Sequence, residues 1–243
     1  MDTFINQGAA SLTSAGFLLV LAFCPTAQAE VNMRIQWGLE GPLPELIALV
    51  KEGRALQKKI NPEVGHELWL NEMHGTNTSR ANLVVRYRDA THFAEATDRE
   101  DANAEWQSFL EKFPVDRYPT TYVGMSNTLI NDDMPIAEPG TVMTVLTFDS
   151  RSGQADLVDL IQQAVDIQAK INPKADIRLV SPILAGDDVG NAVVLVRYPS
   201  LADWAEAQQR NQQSDEWGEY TENFPADRYP IVYQGMSRAL DID

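Results

Sequence analysis

The chain has 243 residues, 44% hydrophobic and 22% charged, enough apolar material for one large domain or two small ones. Lys and Arg number 19 against 35 Asp and Glu, a formal charge of −16. That balance argues against nucleic-acid binding, which needs clustered cations, and fits a solvated acidic exterior.

The first element is a leader. "AGFLLVLAFC", Ala15 to Cys24, is an apolar run too short to span a membrane, and "PTAQAE" follows it. Ala27 and Ala29 make a small-x-small cleavage pattern before Glu30. Residues 1–29 therefore read as a signal peptide, which implies a periplasmic or secreted mature chain. The start of the leader has no Lys or Arg, so its retention as an anchor stays open. Phe23 stands where a lipoprotein leader has a small residue, so lipidation of Cys24 is not expected. Cleavage removes the only cysteine, and with it any thiol for redox or metal chemistry.

A strand is predicted at "MRIQW", Met33 to Trp37. A helix follows with apolar residues at Leu46, Leu49, Val50, Leu56 and Ile60, the spacing of a core-facing stripe. Asn61-Pro62 stops it. Strands are predicted at "ELWL" and "NLVVRY", then a helical region over about residues 91–112 in two pieces, then a last strand from Thr120. The same order returns 111 residues later: "TVLTF", a helix carrying Leu157, Leu160, Ile161, Ala164, Ile167 and Ile171, then "IRLV", "VVLVRY", a helical region over 201–223, and a strand from Ile231. "FPVDRYP" at Phe113 to Pro119 recurs as "FPADRYP" at Phe224 to Pro230, and "QKKINP" as "QAKINP". Roughly a third of the aligned positions match, a repeat at domain scale. The reading is two repeats, 30–130 and 141–243, joined by a polar linker over 131–140. The recurring motif carries an Asp-Arg pair that could pass for catalytic equipment. Turn chemistry accounts for every letter of it, so it reads as a joint between a helix and the last strand.

A βαββαβ unit ending in "FPxDRYPxxYxGM" resembles the dimeric α+β barrel superfamily of ferredoxin-like domains, which includes the NIPSNAP, EthD and antibiotic-biosynthesis monooxygenase families. The resemblance covers nearly the whole mature chain and implies that two sheets close a barrel with helices outside. Two tandem repeats would do so within one chain, as a pseudo-dimer. The superfamily includes cofactor-free oxygenases, isomerases, haem proteins and non-catalytic binders, so the fold leaves function open.

Period-two alternation sorts the strand faces. Ile35, Trp37, Leu83, Val85 and Tyr87 should meet the helices, as should Tyr122, Gly124 and Ser126, whose small members would admit a close helix. The opposite face carries Arg34, Gln36, Glu67, Trp69, Arg86 and Asn127, then Arg178, Val180, Arg197, Gln234 and Arg238. From it Arg34, Glu67, Trp69, Arg86, Arg178, Arg197, Gln234 and Arg238 are the candidate ligand-binding residues. Gathered arginines would favour a carboxylate or another anion. Alternatively, Arg86 and Arg197 pair with Glu67 and other acids to neutralise buried charge.

Catalytic signals are sparse. His66, His74 and His92 are the only histidines, and Glu72, His74 and His92 match no metal-ligand spacing. An axial haem histidine, as in the superfamily's haem branches, would have to be one of the three. Hydrolase, nucleotide-binding and metalloprotease motifs are missing, and no cofactor is expected. The leading expectation is an exported protein binding a small anionic or aromatic molecule inside the barrel, with no nucleic-acid partner and no membrane contact after leader removal. The alternatives are a cofactor-independent monooxygenase or isomerase of the same superfamily, and a structural or partner-binding protein with a filled barrel. Whether the chain is an enzyme, and whether it forms homo-oligomers, stays open.

Overall fold

A computed structural model describes residues 29–243. The expected leader, Cys24 included, lies outside these residues but for Ala29. Among the described residues no helix is long and apolar enough to cross a membrane.

The elements follow the order β1 (Val31–Gly38), α1 (Leu43–Ile60), β2 (Gly65–Met73), β3 (Arg80–Tyr87), α2 (Ala90–Asp101), α3 (Ala104–Lys112) and β4 (Thr120–Ile130). The second set is β5 (Val142–Asp149), α4 (Gln154–Ile171), β6 (Asp176–Leu184), β7 (Asn191–Tyr198), α5 (Leu201–Gln213), α6 (Asp215–Asn223) and β8 (Ile231–Leu240). The helical regions break in two because Asn103 and Ser214 cap new helices, accepting from the backbone N–H of Trp106 and Trp217.

All eight strands join one closed antiparallel barrel in the order β1-β3-β2-β8-β5-β7-β6-β4. Two seams join the first four strands to the last four. At one, Leu68 pairs with Leu240 and Trp69 with Ala239; at the other, Asn127 pairs with Ser181 and Thr128 with Val180. Helices cover the outside, and apolar clusters lie between helix and sheet. One gathers Trp37, Leu46, Val50, Leu68 and Tyr118; another gathers Phe148, Leu157, Ile161, Leu179 and Tyr229.

The recurring motif is a brace. The Tyr118 hydroxyl donates to the Pro42 carbonyl at 2.9 Å, and Tyr229 donates likewise to Gly153 at 2.9 Å. Arg117 pairs with Glu45 and Arg228 with Asp156, each acid in the first turn of the helix that follows the opening strand. The motif thus pins the start of α1, and of α4, to the corner before the last strand of each set.

Two strands face the opposite way from the sequence expectation. Gln36 pairs with Tyr122, Arg34 with Gly124 and Asn32 with Ser126, so Tyr122, Gly124 and Ser126 point into the barrel. Their counterparts Tyr233, Gly235 and Ser237 do the same against Thr147, Val145 and Met143. The glycines admit side chains rather than helices: a Cβ on Gly124 would strike the Tyr122 ring, and one on Gly235 the His74 ring. Asn127 pairs with Val31 on the helix side. Gln234 pairs with Leu146 and Arg238 with Val142, so both leave the barrel interior.

Candidate functional site

The barrel encloses a cavity of about 530 Å³. Its two walls differ. Asn32, Arg34, Gln36, Asn71 and Asn82 line the side built by β1, β2 and β3. On the side built by β5, β6 and β7, Met143, Val145, Val180, Val193 and Leu195 form an apolar middle between Thr147 and Asn191 toward one end and Arg178 and Arg197 toward the other. The contrast falls on positions 111 residues apart, so Arg34 corresponds to Val145 and Asn82 to Val193.

One end of the cavity is closed by an ion network. Arg86 donates to Glu30 at 2.7 Å and lies 3.4 Å from Glu67. Arg178 reaches Glu30 at 2.7 Å, and Arg197 reaches Glu67 at 2.6 Å. The segment between β4 and β5 crosses this end. Its Met134 carbonyl accepts from Arg86 and Arg178, its Pro135 carbonyl accepts from Arg197, and its Ala137 N–H donates to Glu67. Trp69 donates from Nε1 to Glu67 at 3.1 Å and lies under the Arg197 guanidinium. Burial and the neighbouring Arg86 pull Arg178 down to about 10. Arg86, Arg178 and Arg197, expected to await an anion, are thus already held by two carboxylates and two backbone carbonyls.

The other end is the mouth. Arg34 stacks on Tyr122, 4.1 Å from the ring centre, and stands 3.8 Å from Asp188. Arg80 donates to Gln36 at 3.2 Å. From there an amide ladder runs inward, Gln36 to Asn82 at 3.0 Å and Asn82 to Asn71 at 2.6 Å. The described charges of floor and mouth are five arginines, Arg34, Arg80, Arg86, Arg178 and Arg197, against Glu30, Glu67 and Asp188. The interior is therefore cationic in an acidic protein. Two guanidinium N–H groups, Nε of Arg178 and Nε of Arg197, are buried without a hydrogen-bond partner.

Of the residues chosen from sequence, Arg34, Glu67, Trp69, Arg178 and Arg197 line the cavity, and Arg86 lies in the floor network. Gln234 and Arg238 do not join them. Gln234 faces a groove behind the sheet, and Arg238 pairs on the outer face with Glu72 at 2.8 Å. Alternation alone leaves two choices of face for an end strand, and the choice made for β8 was the wrong one. Glu30, Arg80, Asn71, His74, Tyr233 and Ser237 were not assigned to the interior. Glu30 precedes the first strand, Asn71 and Arg80 continue the alternation of Glu67 and Arg86 to the strand ends, and His74, Tyr233 and Ser237 meet only through the β2–β8 seam.

A second cavity of about 530 Å³ lies between the sheet and α4, α5 and α6, lined by Trp204, Trp217, Tyr220 and Phe224 with the amides of Gln168 and Gln208. Haem with an axial imidazole does not fit these residues. His66 is tied to Gln57, His74 is inside the barrel, and His92 accepts from the Arg88 N–H at the start of α2. Among the described residues no group of His, Cys, Asp and Glu is placed to hold a metal ion.

Solved structures share this architecture. A candidate monooxygenase from Fusobacterium nucleatum aligns with a TM-score of 0.58 at 9% identity, over 90% of this chain and 94% of its own. A candidate monooxygenase from Lactobacillus acidophilus aligns at 0.55 with 12% identity, over 88% and 95%. A chlorite dismutase variant from Candidatus Nitrospira defluvii aligns at 0.52 with 11% identity, over 90% and 94%. The fold is that of the dimeric α+β barrels. At such identities the likeness is one of fold, and in this α+β barrel the side chains named above must carry the functional argument. No family model and no curated protein matches the chain.

Proposed function

We propose that this chain is an exported binding protein for a small anionic or aromatic molecule, held inside the barrel. In this reading residues 1–29 are a cleaved leader, and 30–130 and 141–243 are two ferredoxin-like repeats fused into a pseudo-dimer. The observation that carries it is the cavity itself: about 530 Å³, within the range of ligand sites, with a cationic amide-bearing wall facing an apolar one. An apolar body against Val145, Val193 and Leu195 would leave its charged edge to Arg34 and Arg80. The volume also speaks against a barrel filled for structure alone. The test is native mass spectrometry of small molecules carried through purification of the exported protein. Replacing Arg34 and Arg80 by glutamine should then abolish the thermal stabilisation given by the molecule found. Unchanged stabilisation would remove this reading.

A second reading is a cofactor-independent monooxygenase or isomerase. It is favoured by the candidate monooxygenases that share the fold and by the aromatic groove between the barrel and α4, α5 and α6. Oxygen uptake or product formation with a panel of phenols and quinols separates it from simple binding.

A further inference from the structure

The amide ladder ends on an assembly that simple binding leaves without a task. The Nδ1 of His74 is hydrogen-bonded to the Tyr233 hydroxyl, and its Nε2 lies 2.8 Å from Ser237 Oγ. Ser237 donates to Asn71 Oδ1 at 3.1 Å, and Asn82 donates to the same oxygen at 2.6 Å. With the serine proton so engaged, Nε2 is the donor toward Ser237 and Nδ1 the acceptor from Tyr233. Burial holds the imidazole at about 4, so it is a neutral acceptor at neutral pH. Burial also pushes the pKa of the Tyr233 phenol up, so the phenol stays protonated and available to donate. Around this pair the mouth presents Arg34 from β1, Arg80 from β3, Tyr122 from β4 and Asp188 from the turn before β7. His74 has Ala185 as its counterpart, so the chain holds one such assembly.

We propose that Tyr233 and His74 form a proton relay that ionises the ligand: weak oxygen acids with an apolar body enter the cavity neutral and are held as anions. This rests on the barrel interior being the binding chamber. The O–H bond of the ligand breaks and its proton passes to Tyr233 Oη, while the phenolic proton moves to Nδ1 of His74. The electron pair stays on the ligand oxygen. The products are a ligand anion near Arg34 and Arg80 and an imidazolium; the anion offsets the burial that keeps the imidazole at about 4, since an opposite charge within about 4–6 Å moves a pKa by about 1–3 units. No oxidant or reductant is consumed. Tyr233 touches the ligand; His74 acts through it as a positioning residue.

The probe is 4-nitrophenol, whose neutral and ionised forms absorb at different wavelengths. Bound to the protein it should ionise about 1–3 pH units below the free probe. Tyr233→Phe and His74→Gln should still bind it but lose most of that shift. Tyr233→Phe removes only a hydroxyl near the mouth and decides the matter if the buried histidine variant fails to fold. Binding with unshifted ionisation overturns the relay and leaves the chamber standing. A shift retained in both variants assigns it to Arg34 and Arg80 and also overturns the relay. A probe that does not bind the wild-type protein overturns the relay together with the chamber.

Discussion

Replacing Glu67 with glutamine tests the floor of the barrel. Glu67 is 4% exposed and accepts from Arg197, Arg86, Trp69 and the Ala137 N–H. Its charge gone, Arg86, Arg178 and Arg197 face the single carboxylate of Glu30. Removing one partner of a buried pair costs about 3–5 kcal/mol, because the remaining charge is left in a medium that cannot solvate it. For a chain of this size each kcal/mol moves Tm by roughly 2–4 °C, so the variant should melt about 6–20 °C lower. Urea unfolding of both proteins measures the difference directly. The reference is Asp156→Asn, which breaks the exposed pair with Arg228 and should cost no more than about 1 kcal/mol. High salt should leave the Glu67 effect nearly unchanged, since a buried pair is poorly screened. If Glu67→Gln costs no more than Asp156→Asn, the network does not hold the floor and the argument fails.

The brace should behave as two equal joints: Tyr118→Phe and Tyr229→Phe each lose one hydrogen bond to a carbonyl and about 1 kcal/mol by urea titration. Acid should weaken the protein through His66, which burial holds at about 4 against an ordinary 6.5. The unfolded chain binds a proton below pH 6.5 that the folded chain refuses until about 4, so stability falls as pH drops through that window, by up to about 3 kcal/mol. His66→Gln should remove its share of that slope and leave the share of His74, which burial also holds at about 4, while Glu100, whose carboxyl burial pushes up, works in the opposite sense and is left in place. Gly235→Ala should push the His74 ring from its seat at a cost of about 1–3 kcal/mol. The displaced imidazole, followed by NMR titration, should ionise closer to 6.5.

Much of the architecture was legible in the chain because its signals are local and occur twice. The stripe through Leu46 and Val50, and the alternation in "NLVVRY", each mark one buried face, and the offset of 111 residues repeats both. The last strands misled because Gly124 and Ser126 suit either a close helix or a crowded interior, and only the pairing with Arg34 and Asn32 decides. The floor was half legible. Glu67 was chosen as a partner for the arginines, but Glu30 sits outside any periodic pattern, and the backbone groups of Met134 and Pro135 have no signature in residue type. The contact of His74 with Tyr233 spans 159 positions and depends on an irregularity between Asn71 and Met73, which no pattern along one strand encodes.

Glu30 grips Arg86 with one oxygen and Arg178 with the other, and so ties the first four strands to the last four beside the seam at which Thr128 pairs with Val180. Without that clasp and the seams, β2, β4, β6 and β8 would each present a row of unpaired amides, an invitation to foreign strands. A chain that meets itself in a ring has no such margin to offer. Its resistance to sticking therefore belongs to the completed circle rather than to either arc, and severed arcs would seek each other before anything else.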